Sequence, residues 1–282
     1  MAITSARIPW RSSRAPVAGA VIDWENPLTN KLVWLSYIGQ GSQQSAQNLV
    51  GKQITASGLP ASGVATPTPT PYGPAMRGGA WSAASSPIID YAGSPPGFTA
   101  ISLFYQDHTL TGNEGYTMFA RGNYVSESNN QGWYMQVIGP SFPSGQNKYN
   151  VICGRNNGAA FYRLTTVTTQ TKGLHLFAWR SDGTTRSVLL DGKFEASTTT
   201  NAVPVSANQI ALYTGAANDP IAQLWCGAWN RVMSDKEFNT LYQEPWQLLK
   251  PAETKFLLPP LGFGAGPGPN APGGGNQVIL IS

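Results

Sequence analysis

From residue 87 onward the chain alternates between short runs of apolar, β-branched and aromatic residues and linkers rich in Gly, Asn, Ser and Asp. This alternation is typical of β-strands joined by turns. An earlier apolar run, Lys31–Ile38, is predicted to be a mostly buried first strand. The later predicted strands are Ile88–Tyr91, Phe98–Tyr105, Tyr116–Arg121, Trp133–Ile138, Tyr149–Gly154, Phe161–Val167, Leu174–Arg180, Ser187–Leu190, Gln209–Tyr213 and Ile221–Trp229.

Two turn signals are sharper than the others. The run Ser181-Asp182-Gly183-Thr184 separates two of the predicted strands, and Asp191-Gly192 ends the second of them. Asp-Gly between apolar runs is a strong hairpin signal because both residues accept positive φ angles. The sequence therefore predicts an antiparallel hairpin at residues 174–190.

One short helix is predicted, at about residues 235–243. Ser234 is a good N-cap, and Glu237 three residues later completes a capping box. Phe238, Leu241 and Tyr242 share one face, and Pro245 ends the segment. In contrast, residues 57–75, with Thr66–Pro71 at their centre, are predicted to form an extended surface loop, since proline removes backbone donors.

The two ends of the chain differ in composition from the middle. Residues 1–25 are predicted to be an N-terminal arm that carries several arginines, with Ile8, Trp10 and Arg11 as contacts to neighbouring subunits. Residues 26–258 are predicted to be one β-sandwich domain, since all-β domains of this size are common.

Residues 259–282 are predicted to be a Gly/Pro-rich C-terminal tail, with 12 Gly or Pro among residues 259–276. The tail ends in a β-prone apolar run that is expected to add a strand to another subunit's sheet. The predicted assembly contacts in this run are Val278, Ile279, Leu280 and Ile281.

Charge and composition exclude several function classes. Only 11% of the residues are charged and the formal net charge is +4, without a cluster of Arg and Lys, so no specific nucleic-acid partner is expected. The first residues lack a signal-peptide pattern, and no apolar stretch reaches the roughly 18 residues of a membrane span. Cys153 and Cys226 lie in apolar runs, which favours buried free thiols over a disulfide.

Three segments resemble laminin-G-like (concanavalin A-like lectin/glucanase) domains of bacteriophage and prophage proteins. These are Asn26–Val33 (NPLTNKLV), Trp179 with the hairpin up to Gly192, and a closing motif. The closing motif is the more specific, with Ala228–Glu237 (AWNRVMSDKE) followed by Leu241–Leu249 (LYQEPWQLL). The resemblance implies an all-β concanavalin A-like antiparallel β-sandwich (jelly roll) with one short helix and two terminal arms. It also implies a virion location.

Candidate chemistry is sparse. Glucanases of this fold carry closely spaced acids on one strand, whereas here only Asp23-Trp24-Glu25 comes near that pattern, without a third acid. His108 beside Asp107 and His175 in a strand lack a nucleophile motif. The chain is therefore expected not to be an enzyme.

Two groups of side chains offer the oxygen ligands that calcium prefers: Asp107, Asn113 and Glu114, and Asn218 and Asp219. Neither set has fixed ligand spacing. No metal or other cofactor is therefore predicted.

The polar loop at residues 126–132 is the predicted recognition surface. Tyr124 precedes it, and Trp133 and Tyr134 follow it, so these three aromatic residues are the candidate ligand-binding residues.

The expected function is a phage virion structural protein. It would decorate or cement the capsid, or belong to a head or tail appendage, and would be held by its arms against other virion proteins and copies of itself in a homo-oligomer. The alternative is a carbohydrate-binding adhesin that recognises host polysaccharide on the virion surface. A glycan hydrolase is the weakest alternative because its acids are absent.

Overall fold

The computed structural model describes residues 20–37, 45–50, 55–58, 66–77, 80–83, 97–123, 131–141, 147–153, 162–199, 210–213 and 220–251. Chain contacts divide the protein into two units, Met1–Ala252 and Glu253–Ser282. All described residues belong to the first unit. The domain boundaries at residues 25 and 258 stay predictions.

The described residues form β-strands, one 3-10 helix (Pro27–Thr29) and one α-helix, α1 (Asp235–Gln243). The strands in chain order are β1 Ala20–Ile22, β2 Leu32–Tyr37, β3 Ser45–Gln47, β4 Thr55–Gly58, β5 Thr66–Thr70, β6 Gly73–Arg77, β7 Ala80–Ala83, β8 Phe98–Gln106, β9 Gly115–Asn123, β10 Gln131–Ile138, β11 Lys148–Cys153, β12 Tyr162–Thr169, β13 Gly173–Ser181, β14 Arg186–Leu190, β15 Lys193–Thr198, β16 Ile210–Tyr213, β17 Ile221–Trp229 and β18 Leu249–Pro251.

The strands build two large antiparallel sheets and one small one. The helix-side sheet has the order β15-β14-β13-β8-β17-β6-β5, and β2 also pairs with β17. The far sheet has the order β12-β11-β10-β9-β16-β7-β4-β3. A two-stranded sheet joins β1 to β18. The predicted all-β sandwich class is confirmed.

Most predicted strands are present with shifts of one or two residues at their ends. The hairpin at residues 174–190 forms between β13 and β14, with Phe177 opposite Leu190. Helix α1 starts and ends at the predicted residues, and both hydrogen bonds of the Ser234–Glu237 capping box are present. The predicted strand at Ile88–Tyr91 lies outside the described residues.

The prediction of a surface loop at residues 57–75 is wrong for its described residues 66–75, while residues 59–65 lie outside the described residues. β5 and β6 form a hairpin at the edge of the helix-side sheet, with Pro67 opposite Met76 and Pro69 opposite Pro74. An edge strand tolerates proline because the position without an N–H can face away from the neighbouring strand. The prolines at residues 67 and 69 therefore lie in an edge strand of the sheet and not in a loop.

The main core lies between the two large sheets. Trp34 and Trp179 from the helix-side sheet and Phe119 and Trp133 from the far sheet are fully buried in it. The rings of Trp133 and Trp179 are 5.1 Å apart, and Phe119 meets Trp133 edge-on at 5.2 Å. Burial of such large aromatic side chains supplies much of the stabilisation of a sandwich.

A second core covers the outer face of the helix-side sheet. Helix α1 places Phe238 and Leu241 on this face, and the segment after the helix adds Trp246, which packs edge-on against Tyr37 at 5.6 Å. The helix-side sheet is thus buried on both faces, so every residue of β17 is buried. This explains why β17 is a continuous apolar run instead of an alternating one.

The two large sheets are joined along both sides of the sandwich. On one side, Glu195 of β15 accepts hydrogen bonds from the backbone N–H groups of Val167 and Thr168 in β12, both at 2.8 Å. On the other side, Ser36 of β2 pairs with Asn48 just after β3. These contacts occupy backbone groups that an open sheet edge would expose.

Candidate functional site

A tight turn directly after β1 forms one wall of an open cleft. The Asn26 N–H donates to the Asp23 carbonyl oxygen at 3.0 Å, and the Glu25 N–H donates to Asp23 Oδ1 at 3.3 Å. Asn26 then caps the 3-10 helix by accepting from the Leu28 N–H. Trp24 lies in this turn, and 56% of its surface is exposed.

The opposite wall of the cleft comes from α1 and the segment that follows it. Asn26 Nδ2 donates to the Gln247 carbonyl oxygen at 2.8 Å, and the Asp23 N–H donates to the Leu248 carbonyl oxygen at 2.9 Å. The Trp229 indole N–H donates to the Leu28 carbonyl oxygen at 2.7 Å. These bonds fix residues 23–28 against residues 229–248, which are far away in sequence.

We call the resulting depression, together with Trp24, which lies in the chain between two of its lining residues, the Trp24 cleft. Its volume is about 580 Å³. Most of its lining residues carry side chains that can donate or accept hydrogen bonds, and about half of the lining surface is apolar. The lining residues are Asp23, Glu25, Asn26, Pro27, Leu28, Lys236, Glu237, Thr240 and Gln247.

Two cations outside the lining balance part of the acidic charge. Arg231 lies 2.8 Å from Glu237, and Lys250 lies 3.6 Å from Asp23. Burial opposes ionisation of Glu237, but hydrogen bonds from the Ser234 N–H and hydroxyl and the Arg231 charge outweigh it, so the pKa of Glu237 is lowered. Glu237 is therefore a carboxylate at neutral pH.

The candidate ligand-binding residues Trp133 and Tyr134 are not on the surface, and their assignment to a recognition surface is corrected. Trp133 has no exposed surface and lies in the core between the sheets. Tyr134 points to the other face of β10, where it is buried with Ala120 and Ile152. Alternation along a strand sends neighbouring residues to opposite faces, and here both faces are covered. Tyr124 lies outside the described residues.

The predicted assembly contacts also lie outside the described residues and stay predictions. They are Ile8, Trp10, Arg11, Val278, Ile279, Leu280 and Ile281. The same holds for Asn218 and Asp219, which were weighed as calcium ligands.

The histidines have structural partners. His175 Nδ1 lies 2.8 Å from Asp191 and its Nε2 lies 2.8 Å from the Thr171 carbonyl oxygen, in the order of a catalytic triad. A carbonyl oxygen only accepts hydrogen bonds, so Nε2 is positioned to donate to it, and the Thr171 hydroxyl lies farther away, at 3.4 Å. His175 therefore anchors the β14–β15 turn at Asp191. His108 contacts Asp107, which also binds Arg77 at 2.6 Å.

The candidate calcium ligands Asp107 and Glu114 already contact other groups of the protein. Asp107 uses both carboxylate oxygens for Arg77 and His108, and Glu114 accepts the Gly112 N–H at 2.9 Å. Across the described part of the chain, no three His, Cys, Asp or Glu side chains are grouped to hold a metal ion. Cys226 is a buried free thiol, as predicted, and burial raises its pKa; the Cys153 side chain lies outside the described set.

The sequence singles out the acidic residues Asp23 and Glu25, but it does not predict the cleft that they line. Asp23 and Glu25 were considered only as catalytic acids on a strand, whereas the structure places them in a turn. An available signal was Trp24 itself, an indole between two acids and just before the helix-capping residue Asn26. The contribution of α1 to the cleft depends on tertiary packing and had no local signal.

No protein-family model and no curated protein matches the chain. Solved structures do match in three dimensions. The binding domain of botulinum neurotoxin DC in complex with SialylT has a TM-score of 0.56 and 10% identity, over 76% of this chain and 52% of that one. The binding domain of Paraclostridial Mosquitocidal Protein 1 has a TM-score of 0.56 and 11% identity over the same shares. This chain therefore shares the β-sandwich (jelly-roll) fold of these domains.

A third similar structure is that of botulinum neurotoxin type C, a protein whose cell entry depends on interaction with two ganglioside molecules. Its TM-score is 0.53, with 10% identity over 75% of this chain and 50% of that one. This chain spans about half the length of the solved chains it matches. At these identities the likeness establishes the fold.

The matched structures are receptor- and carbohydrate-binding domains, which agrees with the expectation that the chain is not an enzyme. In the described residues, no helix is both long and apolar enough to span a membrane.

Proposed function

We propose that this protein binds carbohydrate and that the Trp24 cleft is its glycan site. One observation carries the proposal: Trp24, whose surface is largely exposed, lies in the chain between two residues that line an open cleft rich in hydrogen-bonding side chains. Sugars offer an apolar C–H face and a ring of hydroxyl groups. An exposed indole face packs against the first, and convergent carboxylate, amide and hydroxyl groups bind the second.

The fold supports this proposal. The matched β-sandwich domains include one in complex with SialylT and one from a toxin whose cell entry depends on two ganglioside molecules. Because this chain covers about half of those proteins, the likeness supports the class of ligand and not the position of the site.

The test is direct binding of the purified protein to a glycan array, followed by calorimetric titration with the best ligand. Trp24→Ala should lower the affinity by about tenfold, because loss of an aromatic contact with a ligand can cost more than about 1 kcal/mol. Phe194→Ala is the matched control, since Phe194 is 48% exposed on β15 and does not line the cleft. Equal affinity of the wild type and Trp24→Ala would refute the assignment of the site.

A second candidate function, compatible with the first, is that of a bacteriophage virion structural protein that presents this domain on the particle. The closing motif favours it, because its resemblance to phage laminin-G-like domains coincides with residues that contribute to the second core, such as Trp229, Phe238 and Trp246. Under this proposal the protein is located in the virion and contacts other virion proteins and itself.

The virion proposal is tested by mixing purified protein with particles that lack it, followed by sedimentation and imaging. Stoichiometric attachment is expected, and deletion of residues 259–282 should abolish it while the sandwich still unfolds cooperatively. Normal attachment of the truncated protein would remove the proposed role of the tail. Binding to host cells or their polysaccharide, without binding to particles, would favour a free adhesin.

A further inference from the structure

The outer face of the far sheet carries buried polar side chains beside the apolar cluster of Ala120, Tyr134 and Ile152. Asn150 shares this face of β11 with Ile152, because every second residue of a strand points the same way. Gln136 shares the face on β10 with Tyr134 for the same reason. Asn150 has no exposed surface and Gln136 is 6% exposed. Both amide groups are therefore removed almost completely from solvent.

The two amide groups are neighbours across the ladder of β10 and β11. Gln136 and Asn150 lie directly opposite each other in the register, and side chains at such positions have Cβ atoms about 4.5–5.5 Å apart. Gln136 Nε2 donates to Thr117 Oγ1 of β9 at 3.1 Å. Gln136 Oε1 and both amide atoms of Asn150 have no hydrogen-bond partner among the described residues. Three buried polar atoms on one small area of the sheet are thus left for a further partner.

Buried polar atoms are rarely without a partner in folded proteins. Most of them bond to the protein or to ordered water, because an unpaired buried group loses its hydration without compensation. A buried water molecule typically makes about three hydrogen bonds to such atoms. The atoms left by Gln136 and Asn150 therefore match in number what one water molecule satisfies.

The chemistry of the three atoms also points to water. Asn150 Nδ2 is a donor, whereas Asn150 Oδ1 and Gln136 Oε1 only accept. A cation would suit the two oxygens but not the amide nitrogen, and an anion would suit the nitrogen but not the oxygens. Water both donates and accepts, so it satisfies all three atoms. The same holds if the oxygen and nitrogen of either amide group are exchanged, since the set then still contains donors and acceptors.

The amide groups do not satisfy each other. Asn150 Nδ2 and Gln136 Oε1 are a complementary donor and acceptor on adjacent strands, yet they form no hydrogen bond. Bridging water is commonly found between polar groups in this relation. We propose that Gln136 and Asn150 hold one buried water molecule, which links β10 to β11 through their side chains. The proposal is independent of the glycan site, because neither residue lines the Trp24 cleft.

The bound water supports an irregular part of the sheet. β9 contains a bulge, since Thr117 and Phe119 lie opposite consecutive residues of β10 while Met118 between them has no partner there. Gln136 bonds Thr117 at this bulge. The water fixes the other end of the same amide group and so holds Gln136 in the orientation that reaches Thr117.

Oxygen-17 magnetic relaxation dispersion, which counts long-lived internal waters, tests the proposal on the full chain. Asn150→Leu removes both amide atoms at similar side-chain volume and should lower the count by one. Ile152→Val is the matched control, because it alters the same face of β11 without removing a polar atom, and it should leave the count unchanged. A crystal structure of the wild type should show a water molecule within about 3.2 Å of both amide groups.

Thermal unfolding gives a second readout whose sign depends on the water. With water bound in the wild type, Asn150→Leu leaves Gln136 Oε1 unpaired and should lower the melting temperature. Adding Gln136→Met to Asn150→Leu should restore most of that loss, because no buried acceptor is then left and the partly exposed Thr117 can bond to solvent. If the amide atoms were unpaired in the wild type, Asn150→Leu would instead raise the melting temperature.

Several results would overturn the proposal. One is an unchanged water count in Asn150→Leu, and another is a higher melting temperature of this variant. A third is a crystal structure in which the two amide groups bond directly to each other or to another segment of the chain. If Asn150→Leu does not fold, the crystal structure of the wild type decides, because it shows directly whether water lies between the two side chains.

Discussion

Replacement of Tyr149 by Phe tests the buried polar contact that links the two sheets. Tyr149 of β11 and Gln106 of β8 are both fully buried, and the Tyr149 hydroxyl donates to Gln106 Oε1 at 2.8 Å. Burial, and secondarily the Asp191 carboxylate, raise the pKa of Tyr149 far above its usual value, so the hydroxyl is always a donor. Gln106 in turn donates to Gln170 Oε1 at 2.8 Å.

The substitution removes one oxygen and no ring volume, so its cost comes from the acceptor that is left behind. A buried acceptor without a donor costs about 1–3 kcal/mol. For a domain of this size each kcal/mol lowers the melting temperature by roughly 2–4 °C. We therefore expect Tyr149→Phe to melt about 2–12 °C below the wild type, with an unchanged urea m-value.

The control is Tyr72→Phe, because Tyr72 is only partly buried and its hydroxyl has no hydrogen bond to a described residue. A double-mutant cycle with Gln106→Met adds a second measurement. The loss from Tyr149→Phe should be much smaller in the Gln106→Met background, since no acceptor is then left unpaired. A change in unfolding free energy below about 0.5 kcal/mol for Tyr149→Phe in the wild-type background would refute the reasoning.

Three further predictions concern the helix cap and the sheet edge. Ser234→Ala should lower the unfolding free energy by about 1 kcal/mol in urea titrations at pH 7, and an unchanged midpoint would contradict the cap's contribution. The pKa of Glu237 is lowered in the folded protein. The contribution of its carboxylate to the unfolding free energy is therefore complete above the unfolded-state pKa of 4.5 and is lost as the pH falls through the lower pKa of the folded protein. Glu237→Gln should flatten this part of the curve of unfolding free energy against pH. Glu195→Ala should expose the N–H groups of Val167 and Thr168 and increase self-association in sedimentation velocity runs, whereas a purely monomeric variant would show that the edge is protected by other means.

The parts of the fold that sequence reasoning predicted are those whose residues face a core. β8, β13 and β17 are apolar because both faces of their sheet are buried, so their runs stand out. β5 and β15 have mostly exposed or half-exposed residues at the sheet edges, and their local sequences resemble loops. Pairing with a neighbouring strand makes them strands, and that pairing cannot be seen locally.

The candidate site shows the same division. The capping box that orients α1 is a local motif and was predicted to the residue. The Trp24 cleft forms only because bonds such as those from Asn26 to Gln247 and from Trp229 to Leu28 join segments more than 200 positions apart. No periodicity or spacing in either segment indicates its partner.

The small sheet of β1 and β18 has a consequence for how the domain can be attached to anything else. Ala20 lies opposite Pro251, so the chain enters and leaves the sandwich at neighbouring points. A module whose two ends are adjacent can be inserted into a surface loop of a host protein without stretching either one. Joining residues 20 and 251 by a short linker should also permit circular permutation, with new ends opened in an exposed turn such as Asp182–Thr184.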